Sequence, residues 1–294
     1  MKKEMLNGSI WTTTLLTALL LILGCGQAAA QVVASDMTGA PSQNLISYSN
    51  PLNGAFSSAA DGFQKYERGV SPSIPFAVVD DSAGSFPPDS LGIIKTGNVD
   101  EFFGVVDTEN PQNSGPVSAT WEFDISSATG QVLSIDMGAM GDFESSDSFE
   151  WTYSIDGGPT LTAFASAVDE AGSYTYTLEG GGMFTLNDPM LVQGAVLTND
   201  LTSFSTPLAG SGSTLTLTLT ATFNGGTEAV AFQNIIIEQG GVTTAGLAFD
   251  MVGSASQNLT SFVNPWNGAF SSAADGFQKY QRGVSATIPF AVLD

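Results

Sequence analysis

The chain has 294 residues, no histidine, and a formal charge of −22 from 29 Asp and Glu against 7 Lys and Arg. Its one cysteine is Cys25, and the two scarcities together exclude histidine acid–base catalysis, Ser-His-Asp and Cys-His nucleophiles, His/Cys zinc sites and intrachain disulfides. No Lys or Arg lies between Lys95 and Lys279, so this module is too poor in cations to neutralise a run of phosphates and is not expected to bind DNA, RNA or an anionic membrane surface.

Residues 1–30 read as an export signal. Lys2 and Lys3 precede an apolar run at 10–23 that is too short to cross a bilayer, which takes about 20 residues. Ala28-Ala29-Ala30 then offers a small-residue cleavage site before Gln31. A second reading is available in Ile22-Leu23-Gly24-Cys25, which has the form of a bacterial lipoprotein box and would leave an acylated Cys25. Either way the protein is expected outside the cytoplasm, extracellular or at the cell surface. Without Lys2, Lys3 and Glu4, five cations face 28 carboxylates, a balance that favours solubility, saline surroundings and divalent cations.

From residue 31 onward the pattern is strand after strand. Residues 57–66 suggest a helical turn, although Asp61-Gly62 argues for a loop. Apolar runs at 74–79 (IPFAVV), 91–94 and 102–106 predict strands. Ala119, Trp121, Phe123 and Ile125 alternate with polar residues, the period of a strand with one buried face. Residues 132–137 follow, and then 149–155 (FEWTYSI) and 161–168 flank Asp156-Gly157-Gly158, a hairpin-type turn. Residues 174–178 alternate again, and 214–223 (TLTLTLTATF) set Leu and Phe on one face and Thr on the other. Residues 229–237 (AVAFQNIII) are apolar on both faces. Short strands, polar turns and no long amphipathic helix predict an all-β fold, a jelly-roll-like β-sandwich.

The chain also repeats itself. Residues 53–66 (NGAFSSAADGFQKY) return letter for letter at 267–280, and 36–80 match 250–294 at 34 of 45 positions with a constant offset of 214. That period is too long for a solenoid, whose repeats run about 20–50 residues, and reads as tandem whole domains. The organisation that follows is a signal at 1–30, a sandwich module at 31–238, a linker at 239–249 and a partial second repeat at 250–294. The partial copy carries too few strands to close a sandwich by itself, and it is expected to be poorly ordered or to lean on the first.

Residues 141–151 (GDFESSDSFEW) gather Asp142, Glu144, Asp147 and Glu150 ahead of a hairpin. Closely spaced carboxylates suit a calcium ion, which takes six to eight oxygens; Asp142, Glu144 and Asp147 are the candidate ligands, with Glu228 as a distant fourth. The competing reading is a solvated acidic turn. Asp100, Asp107 and Glu109 form a second acidic group. Trp151 and Tyr153 are candidate sugar-stacking residues, set against the alternative that they fill the core, as Trp121 and Tyr176 would. No carboxylate pair can be singled out for glycoside hydrolysis. Gly180-Gly181-Gly182 has no following helix or Lys and reads as a turn.

Four stretches, 141–158 (GDFESSDSFEWTYSIDGG), 186–189 (LNDP), 210–220 (GSGSTLTLTLT) and 231–236 (AFQNII), carry a resemblance. Over residues 36–238 the chain resembles accessory β-sandwich modules of large secreted bacterial proteins, including those attached to extracellular endonucleases of the endonuclease/exonuclease/phosphatase type. The resemblance implies a jelly-roll or galactose-binding-like fold, an extracellular location and calcium. The catalytic His and Asp motifs of those nucleases are missing. The leading expectation is therefore a non-catalytic exported module that binds surface glycan or matrix polysaccharide, or spaces its neighbours, in a tandem array. The alternatives are an accessory part of a larger secreted nuclease or hydrolase, and a structural adhesin-type repeat. Expected partners are glycan and the neighbouring repeats or domains of the same chain, with no membrane span.

Overall fold

Alternation of leucine and threonine over residues 214–222 dictates a strand with one buried face, and the surrounding structure is built on that rule. The structure, a computed structural model, describes residues 31–52, 56, 58–82, 91–111 and 113–239. The export signal, Cys25, residues 240–249 of the linker and the second copy of the repeat lie outside the described residues. Within them run β1 (Gln31–Asp36), β2 (Leu45–Ser49), β3 (Gly62–Tyr66), β4 (Phe102–Val106) and β5 (Val117–Asp124). Next come β6 (Gln131–Met140), β7 (Ser148–Ile155), β8 (Leu161–Val168), β9 (Ser173–Thr177) and β10 (Met183–Asn187). The series ends with β11 (Met190–Val192), β12 (Ala195–Val196), β13 (Thr202–Pro207), β14 (Thr214–Thr222) and β15 (Ala229–Gln239). No described helix is long and apolar enough to cross a membrane.

Apart from the two-stranded β9–β10 hairpin, the strands form two facing sheets. One has the order β13-β6-β15-β4-β3, with β1 also paired to β15; the other runs β12-β11-β8-β7-β14-β5-β2. Strands β4 to β7 and β13 to β15 alternate between the sheets while β7 and β8 form a hairpin within one, giving β4-β15-β6-β13 against β5-β14-β7-β8. That is jelly-roll connectivity, as expected from the sequence. Alternate residues fill the space between the sheets: Trp121 and Phe123 from β5, Leu215, Leu217 and Leu219 from β14, Ile135 and Met137 from β6, Phe232 from β15. A chain of edge-to-face and tilted rings, Phe103, Trp121, Trp151, Phe232 and Phe149, crosses this core with centroid spacings of 4.9–5.5 Å.

Three expectations need correction. Residues 74–79 and 91–94 are not strands; Pro75 removes a ladder donor, and the two segments meet only at a parallel bridge between Val79 and Ile94. Their side chains Ala77, Val78, Leu91, Ile93 and Ile94 instead cover the outer face of the first sheet, helped by Tyr176 and Leu178 at the β9–β10 hairpin. That cover explains why β4 is buried throughout and why β15 is apolar on both faces. Third, residues 62–66 are neither helical turn nor loop but the edge strand β3, paired with β4.

A buried carboxylate, Asp36, ties the sheets together. Lys65 Nζ on β3 lies 2.5 Å from Asp36 Oδ2 at the end of β1, and 3.0 Å from Glu101. The same Asp36 oxygen accepts a hydrogen bond of 2.8 Å from the Trp121 indole on the opposite sheet, and Ser42 Oγ donates to its Oδ1 at 2.7 Å. Asp36 is fully buried and the Lys65 side chain is 14% exposed. Replacing Lys65 with Met leaves that carboxylate without its cation, and is expected to cost about 3–5 kcal/mol in urea unfolding. A loss below about 1 kcal/mol would show that the tie is dispensable.

Candidate functional site

At one end of the sandwich the loop joining β6 to β7 meets the loop joining β14 to β15. Antiparallel pairing forces the encounter: β6 lies against β15 with Met140 opposite Ala229, and β7 lies against β14 with Ser148 opposite Thr222. Carboxylate oxygens of Glu144, Asp147 and Glu228 thereby come within 4.8 Å of one another. Among the described residues this is the only such group of three potential metal-ligating side chains.

Each member is held differently. Asp147 is 2% exposed and organises both loops. Its Oδ2 accepts the Glu144 backbone N–H at 2.8 Å, its own N–H bonds to the Glu144 carbonyl at 2.8 Å, and its Oδ1 accepts from the Asn224 N–H at 3.3 Å. Asn224 Nδ2 donates back to Ser146 at 3.1 Å. Glu228 is 5% exposed, and its Oε2 has no hydrogen-bond partner. Two glycines press on it. A Cβ on Gly141 would sit 2.9 Å from the Glu228 Cα, and one on Gly225 would run into the Glu228 carboxylate. Glu144 is exposed and leaves the trio open to solvent on one side.

The electrostatics follow from burial and like charge. Desolvation, then the adjacent Asp147 and Glu144, push the Glu228 carboxyl from 4.5 up to about 9. Glu144 is also raised, chiefly by its hydrogen bond to Asp147. No cation of the described residues is paired with them. Lys65 pairs with Asp36 and Glu101, Arg68 with Asp81, and Lys95 with Asp200, and these three are the only Lys or Arg within the described span.

The sequence-predicted residues separate accordingly. Glu144, Asp147 and the distant Glu228 come together. Asp142 is exposed and stands outside the group, so the expected ligand set loses it. Asp100, Asp107 and Glu109 do not form such a group; Asp107 is raised by burial and then by Asp61. Trp151 and Tyr153 are corrected from ligand residues to core. Trp151 is 0% exposed between Trp121 and Phe232, and the buried Tyr153 accepts the Ala209 N–H at its hydroxyl. Neither ring face is available to a sugar. Sequence reading overlooked Gly141 and Gly225 as spacers for Glu228; the signal was there in Gly225-Gly226 three residues ahead of it.

No protein-family model matches the chain, and no curated protein matches it. Among solved structures, the adhesin domain K3 of Lys-gingipain from Porphyromonas gingivalis aligns with a TM-score of 0.31 at 7% identity, over 66% of this chain and 98% of that one. The carbohydrate-binding module TmCBM61, solved with β-1,4-galactotriose, aligns with a TM-score of 0.27 at 7% identity, over 48% of this chain and 72% of that one.

The raised Glu228 sets a pH dependence. A carboxyl whose folded-state pKa lies above its unfolded value contributes stability that is complete below the unfolded value and is lost as pH rises towards the folded one. With chelator present, the chain is expected to lose stability steadily from about pH 5 to about pH 9, the window between these two values. Glu228→Gln should flatten that slope in urea titrations taken at successive pH values. An unchanged slope in the variant would show that Glu228 is not its source.

Proposed function

We propose that the chain is a non-catalytic, exported β-sandwich module of a tandem array, and that it meets a neutral glycan through the open face of its seven-stranded sheet. The observation that carries this reading is the chemistry of that face. Ser118, Thr120 and Glu122 of β5, Thr216, Thr218 and Thr220 of β14, and Glu150, Thr152 and Ser154 of β7 all point away from the core and are half-exposed. Register lines them up in rows. Thr120, Thr218 and Thr152 lie side by side, and so do Ser118, Thr220 and Glu150. Hydroxyls bond across the strands, Ser118 to Thr220 at 2.9 Å and Thr120 to Thr218 at 3.3 Å. Each hydroxyl keeps further donor or acceptor capacity, so the face offers a flat grid matched to a polyol. Its two carboxylates, with no Lys or Arg among them, repel polyanions and favour a neutral polysaccharide.

The repeat supports the array. The residues that return at 250–294 are those which, in the described module, do structural work: Asp36 and Lys65 recur as Asp250 and Lys279, Arg68 and Asp80 as Arg282 and Asp294. Here Arg68 donates to the Ile94 and Asp80 carbonyls, and Asp80 accepts from Ser82 and from the Glu179 N–H. What is duplicated is a frame. The resemblance to modules attached to endonucleases rests on the sequence alone, and this reading assigns no catalytic step to the residues present.

Affinity electrophoresis of the full chain through gels containing β-1,4-galactan, mannan or β-glucan tests the proposal. Retardation by at least one is expected, together with a loss of about tenfold or more in Thr120→Val/Thr152→Val/Thr218→Val, since three neutral hydrogen bonds at about 0.5–1.5 kcal/mol each are removed. Valine keeps the volume and strand preference of threonine. Absence of retardation by every neutral polysaccharide would leave the module a spacer and overturn the glycan reading.

A further inference from the structure

We propose that Glu144, Asp147 and Glu228 bind one calcium ion, seated between the β6–β7 loop and the β14–β15 loop. The geometry comes first. Three carboxylate oxygens within 4.8 Å of one another fit around a common centre at calcium's contact distance of about 2.3–2.6 Å. Magnesium, at about 2.0–2.1 Å, demands a near-ideal octahedron and gives up its waters reluctantly, whereas calcium accepts an irregular set of side-chain oxygens.

The second observation is independent of the clustering. Glu228 is 95% buried, taking the complement of its 5% exposure, yet its Oε2 has no hydrogen-bond partner. Buried carboxylate oxygens are costly to leave unmatched, and native structures satisfy nearly all of them with protein, water or an ion. Gly141 and Gly225 confine the Glu228 side chain within the trio, because any larger residue at either position would collide with it. Asp147 has lone pairs left after accepting its two backbone N–H groups, and its position is fixed by them. Glu144, on the exposed rim, supplies the third oxygen and leaves room for the waters that complete a shell of six to eight.

Charge points the same way. Three carboxylates crowd together while every cation in the described span is engaged elsewhere, so a bound cation would relieve their repulsion where no described Lys or Arg does. All available donors are oxygens, which selects a hard cation over zinc or copper. The ion would do mechanical work as well. The β6–β7 and β14–β15 loops each cross from one sheet to the other, so an ion held by both closes this end of the sandwich.

The test uses the full chain stripped with chelator and titrated with calcium chloride, followed by calorimetry and by thermal melting. A saturable site of one calcium per chain is expected, with a Tm that rises with calcium concentration and stays put in the same concentration of magnesium chloride. Glu228→Gln should abolish binding. Glu144→Gln, an exposed change that leaves the fold intact, should weaken it at least tenfold, and Asp142→Asn should bind as the parent chain does. No saturable binding, unaltered affinity in Glu144→Gln, or an equal response to magnesium would overturn the assignment.

Discussion

The buried pair between Asp36 and Lys65 is the constraint that the rest of the sandwich accommodates. Two strands of one sheet supply its charges, while the indole of Trp121 reaches across from the other sheet to the same carboxylate oxygen. Lys65 also lies over the Tyr48 ring at 4.7 Å, which extends the contact to β2 on the second sheet. Such a pair adds little net stability over an apolar substitute, but once the charge is buried its geometry must be met. It therefore fixes where β1, β3 and β5 stand relative to one another. Trp121 in turn sets the ring stack through Phe103 and Trp151 that runs along the core. That both charges recur in the second copy, as Asp250 and Lys279, is consistent with their being part of the frame.

Much of this fold could be read from the sequence because a strand with one wet face writes its own period. β5, β7 and β14 alternate cleanly, and the Asp156-Gly157 turn between β7 and β8 has the two positive φ values, 49° and 68°, that its residues favour. The same alternation also decided the fate of Trp151 and Tyr153. They share a face with Phe149, while Ser148, Glu150, Thr152 and Ser154 share the other, so the aromatics had to point inward. Residues 74–79 and 91–94 misled for a physical reason. An apolar run records only that side chains are buried, and here they are buried as an irregular cover over a sheet. β3 was missed because its residues answer to a buried lysine and an edge pairing, neither of which leaves a periodic mark.

The acidic corner shows what a local reading leaves out. Glu144 and Asp147 are visible together in one loop, and the sequence suggests a cation for that reason alone. Glu228 lies 81 residues beyond Asp147, and only topology connects them. Once eight strands are placed in jelly-roll order, the antiparallel partners β6 with β15 and β7 with β14 bring their connecting loops to the same end. The meeting is therefore a property of the fold, and the side chains merely determine what is met.

This has an electrostatic consequence. Carboxylates carried by those two loops converge where, among the described residues, the Lys and Arg side chains are all paired elsewhere. The fold could have placed Asn or Gln there at no cost in shape. Instead it fixes Asp147 in place with backbone N–H groups and confines Glu228 beside it with an oxygen unmatched. One carboxylate has oxygen lone pairs to spare and its neighbour has a buried oxygen without a partner. Two such demands at a single point are reconciled by a positive ion between them, and the open rim at Glu144 is where that ion would enter.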